Sequence, residues 1–209
     1  MTVLARSRAA AAEPIVAQAR RSDAGRVFET LTRAFADDPP CRWMYPDERQ
    51  YLRYFPRFAE VFGGAAIAAG TALLSGRNAG VALWLAPGSA PDEEALAALV
   101  DESVADRDRK DAFALFDEMG RRHPDQPHWY LPLIGVDPAV QGRGYGSALL
   151  SHGLRLCDRA SLPAYLEATS PRSVPLYERH GFKVVGEIRV GRCPPIVPML
   201  RPARHEKVR

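Results

Sequence analysis

The sequence predicts an α+β domain in which helices flank a mixed β-sheet of about six to seven strands. Three observations carry that expectation. From His128 to Ala168 the chain reads strand, glycine-rich turn, helix, strand, and such a βαβ unit requires two parallel strands with the crossover helix packed on the sheet. From Phe182 to Leu200 two apolar runs return on each other as a hairpin, which adds antiparallel pairing. A second hairpin is expected earlier, where Gly76-Arg77-Asn78-Ala79-Gly80 supplies turn residues between residues 65–75 and 81–86.

The elements follow in order. Residues 1–12 are alanine-rich and basic without an apolar period and are expected to form a flexible leader, with one domain over 13–202 and a basic tail over 203–209. A short strand over 15–19 precedes Ser22 and Asp23, which offer an N-cap to a helix marked by Val27, Phe28, Leu31, Ala34 and Phe35. Pro39 and Pro40 are expected to end it. Tyr51, Tyr54, Phe55, Phe58 and Phe62 recur at three- and four-residue steps, which predicts a helix over 47–62 with a kink at Pro56 and a stop at Gly63-Gly64. Asp92-Glu93-Glu94 opens a helix through Leu96, Leu99 and Val100, and another spans 108–122. Then come a strand over 128–136, a helix over 144–160, a strand over 164–168, a helix over 174–180, and strands over 182–190 and 196–200.

Composition narrows the function classes. The 209 residues are 46% hydrophobic and 25% charged, the balance of a globular chain. Only Lys110, Lys183 and Lys207 are lysines among 28 basic residues, and the net charge of +3 comes from dispersed arginines. Neither a nucleic-acid track nor a groove-reading motif results. No apolar run reaches the length of a membrane span, and the short alanine run after Arg6 and Arg8 makes no credible signal peptide. Cys41, Cys157 and Cys193 are few and widely spaced, which predicts a cytoplasmic setting and no metal site.

The most informative stretch is Ile134 to Leu150. Gly142, Gly144 and Gly146 stand where a strand gives way to a helix, so main-chain N–H groups from Gly142 to Ser147 can approach an anion at a positive helix end. This predicts a diphosphate cradle for a nucleotide-bearing cofactor. Pro132 interrupts the preceding strand, as tolerated at an edge or bulge. The same glycines also suit a plain helix-entry turn.

Gln141-Gly142-Arg143-Gly144-Tyr145-Gly146, after a strand and before a helix, resembles the Q/R-x-x-G-x-G/A pyrophosphate loop of the GNAT superfamily of N-acetyltransferases. Downstream, Tyr165-Leu166-Glu167-Ala168-Thr169-Ser170-Pro171-Arg172-Ser173-Val174-Pro175-Leu176-Tyr177-Glu178-Arg179-His180-Gly181-Phe182 resembles the family's next strand, second cofactor segment and Y-x-x-x-G-F signature. Asp37-Asp38-Pro39, residues 42–47 and Val81-Ala82-Leu83-Trp84 are similar to the branch that contains puromycin N-acetyltransferase. The resemblance implies acetyl-CoA as donor, a small-molecule amine as acceptor, and two parallel strands splayed into the acetyl-CoA cleft. It places Ile134, Gly135 and Val136 beside pantetheine, Gln141 to Ser147 (with Gly142, Arg143, Gly144, Tyr145 and Gly146) at the diphosphate, and Ser173 where close relatives often carry asparagine. The resemblance also places Asp37, Asp38 and Tyr45 in the segment that lids the acceptor pocket in relatives.

Acetyl transfer requires a neutral amine, donors facing the developing oxyanion, and a proton for the departing thiolate. Tyr177 occupies the family's general-acid position, and with an ordinary phenol the transfer to a thiolate is only mildly uphill. A core-packing tyrosine is its other reading. Many relatives carry a carboxylate on the strand corresponding to 128–136, but Trp129, Tyr130, Leu131, Pro132 and Leu133 supply none. Glu167 is therefore the first candidate base, either by moving a proton or by binding a cationic group. His128 is a second.

Two other classes of protein share some of these features. A dinucleotide-binding oxidoreductase would use Glu167 on a ribose, yet the third glycine falls one position early for GxGxxG and the chain is short for a second cofactor half. A catalytically idle acyl-CoA-binding module would keep the glycines and lose the acid. The sequence thus predicts an N-acetyltransferase that works by direct attack in a ternary complex, as a monomer or homodimer, without nucleic-acid or membrane partners.

Overall fold

The structure, a computed structural model, describes residues 14–204; the expected leader, and the basic tail beyond Arg204, lie outside the described residues. Seven strands form one mixed sheet: β1 (Val16–Gln18), β2 (Ala72–Ser75), β3 (Gly80–Leu85), β4 (Trp129–Val136), β5 (Ala164–Ala168), β6 (Lys183–Val184) and β7 (Val197–Arg201). Their spatial order is β1-β2-β3-β4-β5-β7-β6. Only β4 and β5 run parallel; every other neighbouring pair is antiparallel.

Eight helices cover the two faces. One face packs against α1 (Ala24–Ala34), α3 (Glu48–Gly63), α5 (Glu93–Ser103) and α6 (Asp106–Arg122), around Leu31, Phe55, Phe62, Leu83, Tyr130, Leu133 and Tyr165. The other packs against α7 (Tyr145–Ala160) and α8 (Val174–Arg179), around Trp84, Leu131, Leu149, Leu150, Leu166 and Tyr177. Adjacent residues of β5 thus divide between the cores, Tyr165 to the first and Leu166 to the second, as strand alternation demands. Fully buried Trp84 seats α7: a Cβ at Gly153 would lie 2.0 Å from its Nε1, so the helix comes this close only because position 153 is bare.

Three element boundaries differ from the sequence expectation. Pro39 and Pro40 open a further helix, α2 (Pro39–Met44), because the first turn needs no N–H from either and the Asp38 carboxylate accepts from the Cys41 amide at 3.2 Å. Residues 65–75 are not one strand. Gly64 leads directly into α4 (Ala65–Ala69), the alanines follow their helical propensity, and Gly70 with φ of 73° turns the chain into β2. The long strand expected over 182–190 shrinks to β6, followed by an isolated bridge between Ile188 and Ile196, since Gly186, Gly191 and Pro194-Pro195 cannot hold a continuous ladder. Pro56 lies inside α3 and the helix continues past it.

The pairing of β4 matters most for function. On one side Leu83 opposes Leu133 while Leu85 opposes Tyr130, so two steps of β3 match three of β4 and a bulge falls at Leu131-Pro132. On the other side β4 pairs β5 only at Trp129 with Ala164 and Tyr130 with Tyr165. Beyond Tyr130 the two parallel strands part, as expected from a proline that can give no N–H to the ladder.

Candidate active site

The glycine loop is built from the end of β4. Asp137 accepts from the Ala139 amide at 3.0 Å, capping a 3-10 turn over Pro138–Val140, and from Arg33 Nε at 2.8 Å, which ties the loop to α1. Gln141 Nε2 donates to the Val136 carbonyl at 3.1 Å, so this side chain braces the loop. Gly142 and Gly144 have φ of 75° and 86°, a region where a side chain would be strained. Around Gly142 no heavy atom lies within 4 Å of where a Cβ would stand, which leaves open space over the loop. Gly144 caps α7 and brings no side chain to its first amides, so these donors stay free for an anion. Arg143 is exposed at the rim. Tyr145, Gly146 and Ser147 form the first turn of α7, and the Ser147 hydroxyl is paired with His180 Nε2 at 2.7 Å, leaving its main chain as the part available to a ligand.

Where β4 leaves β5, the main-chain groups of Leu131 to Val136 on the β5 side have no strand partner among the described residues. Ile134 and Val136 are half-buried, and Gly135 is buried beneath α1, where an added Cβ would lie 2.6 Å from that of Ala34. The edge is therefore held rigidly from behind while its front stays open.

Tyr177 projects from α8 and is 7% exposed. Burial pushes its phenol up to about 12, the Ser173 hydroxyl opposes this, and the Asp38 charge adds to it. The climb to a free thiolate is therefore steeper than an ordinary tyrosine would give. Ser173 itself donates to the Ser170 carbonyl at 2.7 Å, so its hydroxyl shapes the turn before α8.

Side chains at alternate positions of β5 share one face, about 6.6 Å apart. On the first-core face these are Tyr165, Glu167 and, just past the strand, Thr169. The Glu167 side chain is 2% exposed, and its Oε1 is buried without a hydrogen-bond partner. His123 Nε2 stands 3.5 Å from that oxygen. The Tyr130 and Tyr165 phenols are raised first by burial and next by the Glu167 charge. Thr169 Oγ1 donates to Asp38 Oδ2, and burial raises the Asp38 carboxyl above its ordinary range.

At the C-terminal end of β5 the structure links Asp38 to Thr169 by a hydrogen bond and to Tyr177 by charge, while Glu167, two residues before Thr169, faces the first core with His123, across the sheet from the core that holds Tyr177. Asp37 is exposed outside this group, and Tyr45 is buried with its hydroxyl 3.1 Å from Ser103 Oγ, committed to the core. His123, Tyr130 and Tyr165 surround Glu167, and Thr169 holds Asp38, contacts that no sequence motif marks; the only local signal for His123 is a second histidine, His128, five residues on. Among the described residues no group of three or more histidine, cysteine, aspartate or glutamate side chains is arranged to hold a metal ion, and no helix is long and apolar enough to cross a membrane.

A seven-stranded mixed sheet, parallel strands that part at a bulge, and a glycine loop opening the crossover helix define an acyl-CoA transferase architecture. Residues 28–182 match the family described as "Acetyltransferase (GNAT) family", and the chain belongs to it. It is an N-acetyltransferase of that family. It is 28% identical over 191 residues to an uncharacterized N-acetyltransferase of Schizosaccharomyces pombe, covering 85% of this chain and 77% of that one. A crystal structure from Corynebacterium glutamicum, described as histone acetyltransferase HPA2 and related acetyltransferase, is 30% identical with a TM-score of 0.66, covering 94% of this chain and 99% of the other. A mycothiol acetyltransferase of Propionibacterium freudenreichii is 38% identical over 93 residues, which make up 43% of this chain and 26% of that protein. Arylalkylamine N-acetyltransferase 2 from Aedes aegypti shares the fold at 16% identity and a TM-score of 0.66, over 91% of this chain and 99% of that one.

Proposed function

We propose that this enzyme acetylates a primary amine of a small molecule, with acetyl-CoA as donor, by direct attack in a ternary complex. The observation that supports the reading is a set of polar groups at the end of β5 nearest the gap: Glu167 with its side chain 2% exposed, half-buried Asp38 bonded to Thr169, and buried Tyr177, which feels the Asp38 charge. A resident acyl-CoA fits the rest. The positive-φ glycines with open space above them suit a diphosphate, and the unpaired edge of Ile134 to Val136 suits pantetheine amides added like a strand. When bound, acetyl-CoA supplies an acetyl group activated as a thioester.

The protein's own groups do the rest. Asp38 and Glu167 supply the negative charge that attracts an ammonium, and Glu167 removes its first proton. An N–H of the Leu133 to Gly135 strand faces the carbonyl oxygen as negative charge gathers there. Tyr177 keeps its proton at neutral pH and gives it up as the carbon–sulfur bond breaks, recovering the second proton of the amine. A covalent route through cysteine finds no support, because burial raises all three thiols: Cys157 and Cys193 to about 12, and Cys41 well above its ordinary value. Tyr177 and Glu167, polar side chains kept out of solvent beside the gap, also count against an idle acyl-CoA module, which has no use for them. We assign the activity to the cytoplasm.

The test is thiol release from acetyl-CoA over a panel of amines that includes puromycin, tryptamine, agmatine and a histone-tail peptide. Turnover with at least one small amine is expected. Acetylation of the peptide alone would refute the small-molecule assignment.

A further inference from the structure

Acetylating an ammonium releases one proton that neither Tyr177 nor the thiol keeps: R–NH3+ and CH3CO–SR′ give R–NH–COCH3, R′–SH and H+. Under the proposed function this proton first reaches Glu167, whose side chain is 2% exposed. It needs a way out.

The structure holds one continuous chain of nitrogen and oxygen atoms between Glu167 and the surface. His123 Nε2 is 3.5 Å from Glu167 Oε1, His123 Nδ1 is 3.0 Å from His128 Nε2, and His128 Nδ1 is 2.8 Å from the Gln126 carbonyl. The carbonyl can only accept, so His128 Nδ1 carries a hydrogen. A neutral His128 then offers a lone pair at Nε2, which His123 Nδ1–H must fill. A neutral His123 in turn leaves a bare Nε2 3.5 Å from Glu167 Oε1, while the neutral Tyr130 and Tyr165 phenols donate toward the same carboxylate. A lone pair beside a carboxylate is repulsive. One proton between these two atoms makes the contact favourable.

We infer that Glu167, His123 and His128 form a proton exit, which carries the acceptor's first proton from the buried carboxyl to a solvent cleft at the start of β4. The proton passes from Glu167 Oε1 to His123 Nε2, and His123 Nδ1–H passes to His128 Nε2. The resulting imidazolium gives its Nδ1 proton to water beside the Gln126 carbonyl and keeps Nε2–H toward His123 Nδ1, and exchange with water in the cavity that both rings line returns the pair to its starting tautomers. Both rings line a cavity of about 480 Å³ walled by Pro87, Pro91, Pro124 and Pro127, which opens this end to solvent. The chain is held in place by packing: His123 lies edge-on to Tyr130 at 4.5 Å and against Tyr165 at 4.6 Å between ring centres. His123 and His128 are positioning and relay residues; Glu167 is the group that meets the amine.

The groups against His123 are Glu167 and Tyr165 from β5, Tyr130 from β4 and His128 from the connecting loop; Asp125 lines the same cavity, and Arg122, paired with Glu118, acts on Tyr165. Tyr130 and Tyr165 are raised by burial and stay neutral, so Glu167 is the carboxylate that lies against His123. The first arm of the test reads histidine tautomers by nitrogen NMR in uniformly labelled enzyme. His128→Gln should abolish the preference of His123 for the Nδ1–H tautomer. A His123 tautomer that does not change overturns the exit even if the enzyme is active. The second arm measures turnover of tryptamine, agmatine and puromycin in turn. His123→Gln should cost roughly 10- to 100-fold at neutral pH with acetyl-CoA affinity within about twofold, the loss should shrink as pH approaches that of the free amine, and added imidazole should restore His123→Ala. A loss equal at every pH and deaf to imidazole overturns the exit alone. A wild-type enzyme inert toward all three amines, with acetyl-CoA bound, overturns the amine-acetylation reading and the exit with it.

Discussion

Replacing Tyr177 by phenylalanine removes one oxygen from a buried site and separates proton supply from binding. The phenol sits at about 12 against about 8.5 for a free thiol, a gap of about 3.5 units, or about 5 kcal/mol uphill. Complete transfer before the carbon–sulfur bond breaks is therefore too costly to be useful. Tyr177 acts in step with bond breaking, when the sulfur is most basic and the second amine proton is moving toward the phenol oxygen. A positioned acid of this kind contributes roughly 10²- to 10⁴-fold. Tyr177→Phe should lower kcat by at least roughly 10²-fold, with acetyl-CoA affinity by calorimetry within about twofold. The ring keeps its edge contact with Phe182, centres 6.1 Å apart, so the fold should hold. Because burial raises the phenol, the wild-type rate should show no loss from tyrosine ionisation between about pH 7 and pH 10. Equal losses in kcat and acetyl-CoA affinity, or a wild-type rate that falls with a midpoint near pH 9 and does so no longer in Tyr177→Phe, would refute this role.

Asp38 gives two further predictions. Asp38→Asn preserves a cap on the Cys41 amide and removes a charge facing the acceptor, so KM for the amine should rise roughly tenfold while acetyl-CoA affinity is unchanged, as measured by initial rates. The second concerns stability. Burial raises the folded-state carboxyl, so its stabilising contribution is present in full below the unfolded value near 3.8 and is lost as pH rises through the raised folded value. Asp38→Asn should therefore melt at the same or a higher temperature than wild type at pH 7, and its advantage should vanish by about pH 3; a lower melting temperature at pH 7 would contradict this.

The fold was largely legible because its signals are local. Aromatic spacing from Tyr51 to Phe62 forecast α3, and the bounds of 164–168 matched β5 to the residue. Pro132 forecast the parting of β4 from β5, which the bulge at Leu131-Pro132 realises. Failures came where two rules compete. Alanines serve helix and apolar strand alike, and the Gly64 stop did not forbid a new helix at Ala65. Paired prolines end one helix and begin the next equally well. At the site, Gly142 and Gly144 were readable because positive φ leaves few choices of residue. The partners of Glu167 were not. His123 reaches it from the end of α6, 44 positions earlier in the sequence, and nothing in local spacing records that contact. Asp38 was picked out for its charge, but its bond to Thr169, across 131 positions, exists only in the folded sheet.

The central claim is that free amides behind two left-handed glycines grip the donor's diphosphate. Calorimetry with acetyl-CoA on wild type and on Gly144→Val, whose φ of 86° no valine adopts without strain, tests it most directly. The account predicts saturable heat for wild type and loss of at least roughly tenfold in affinity for the variant, with circular dichroism of the two alike. Undiminished binding by a folded Gly144→Val, or no binding by wild type, would contradict it.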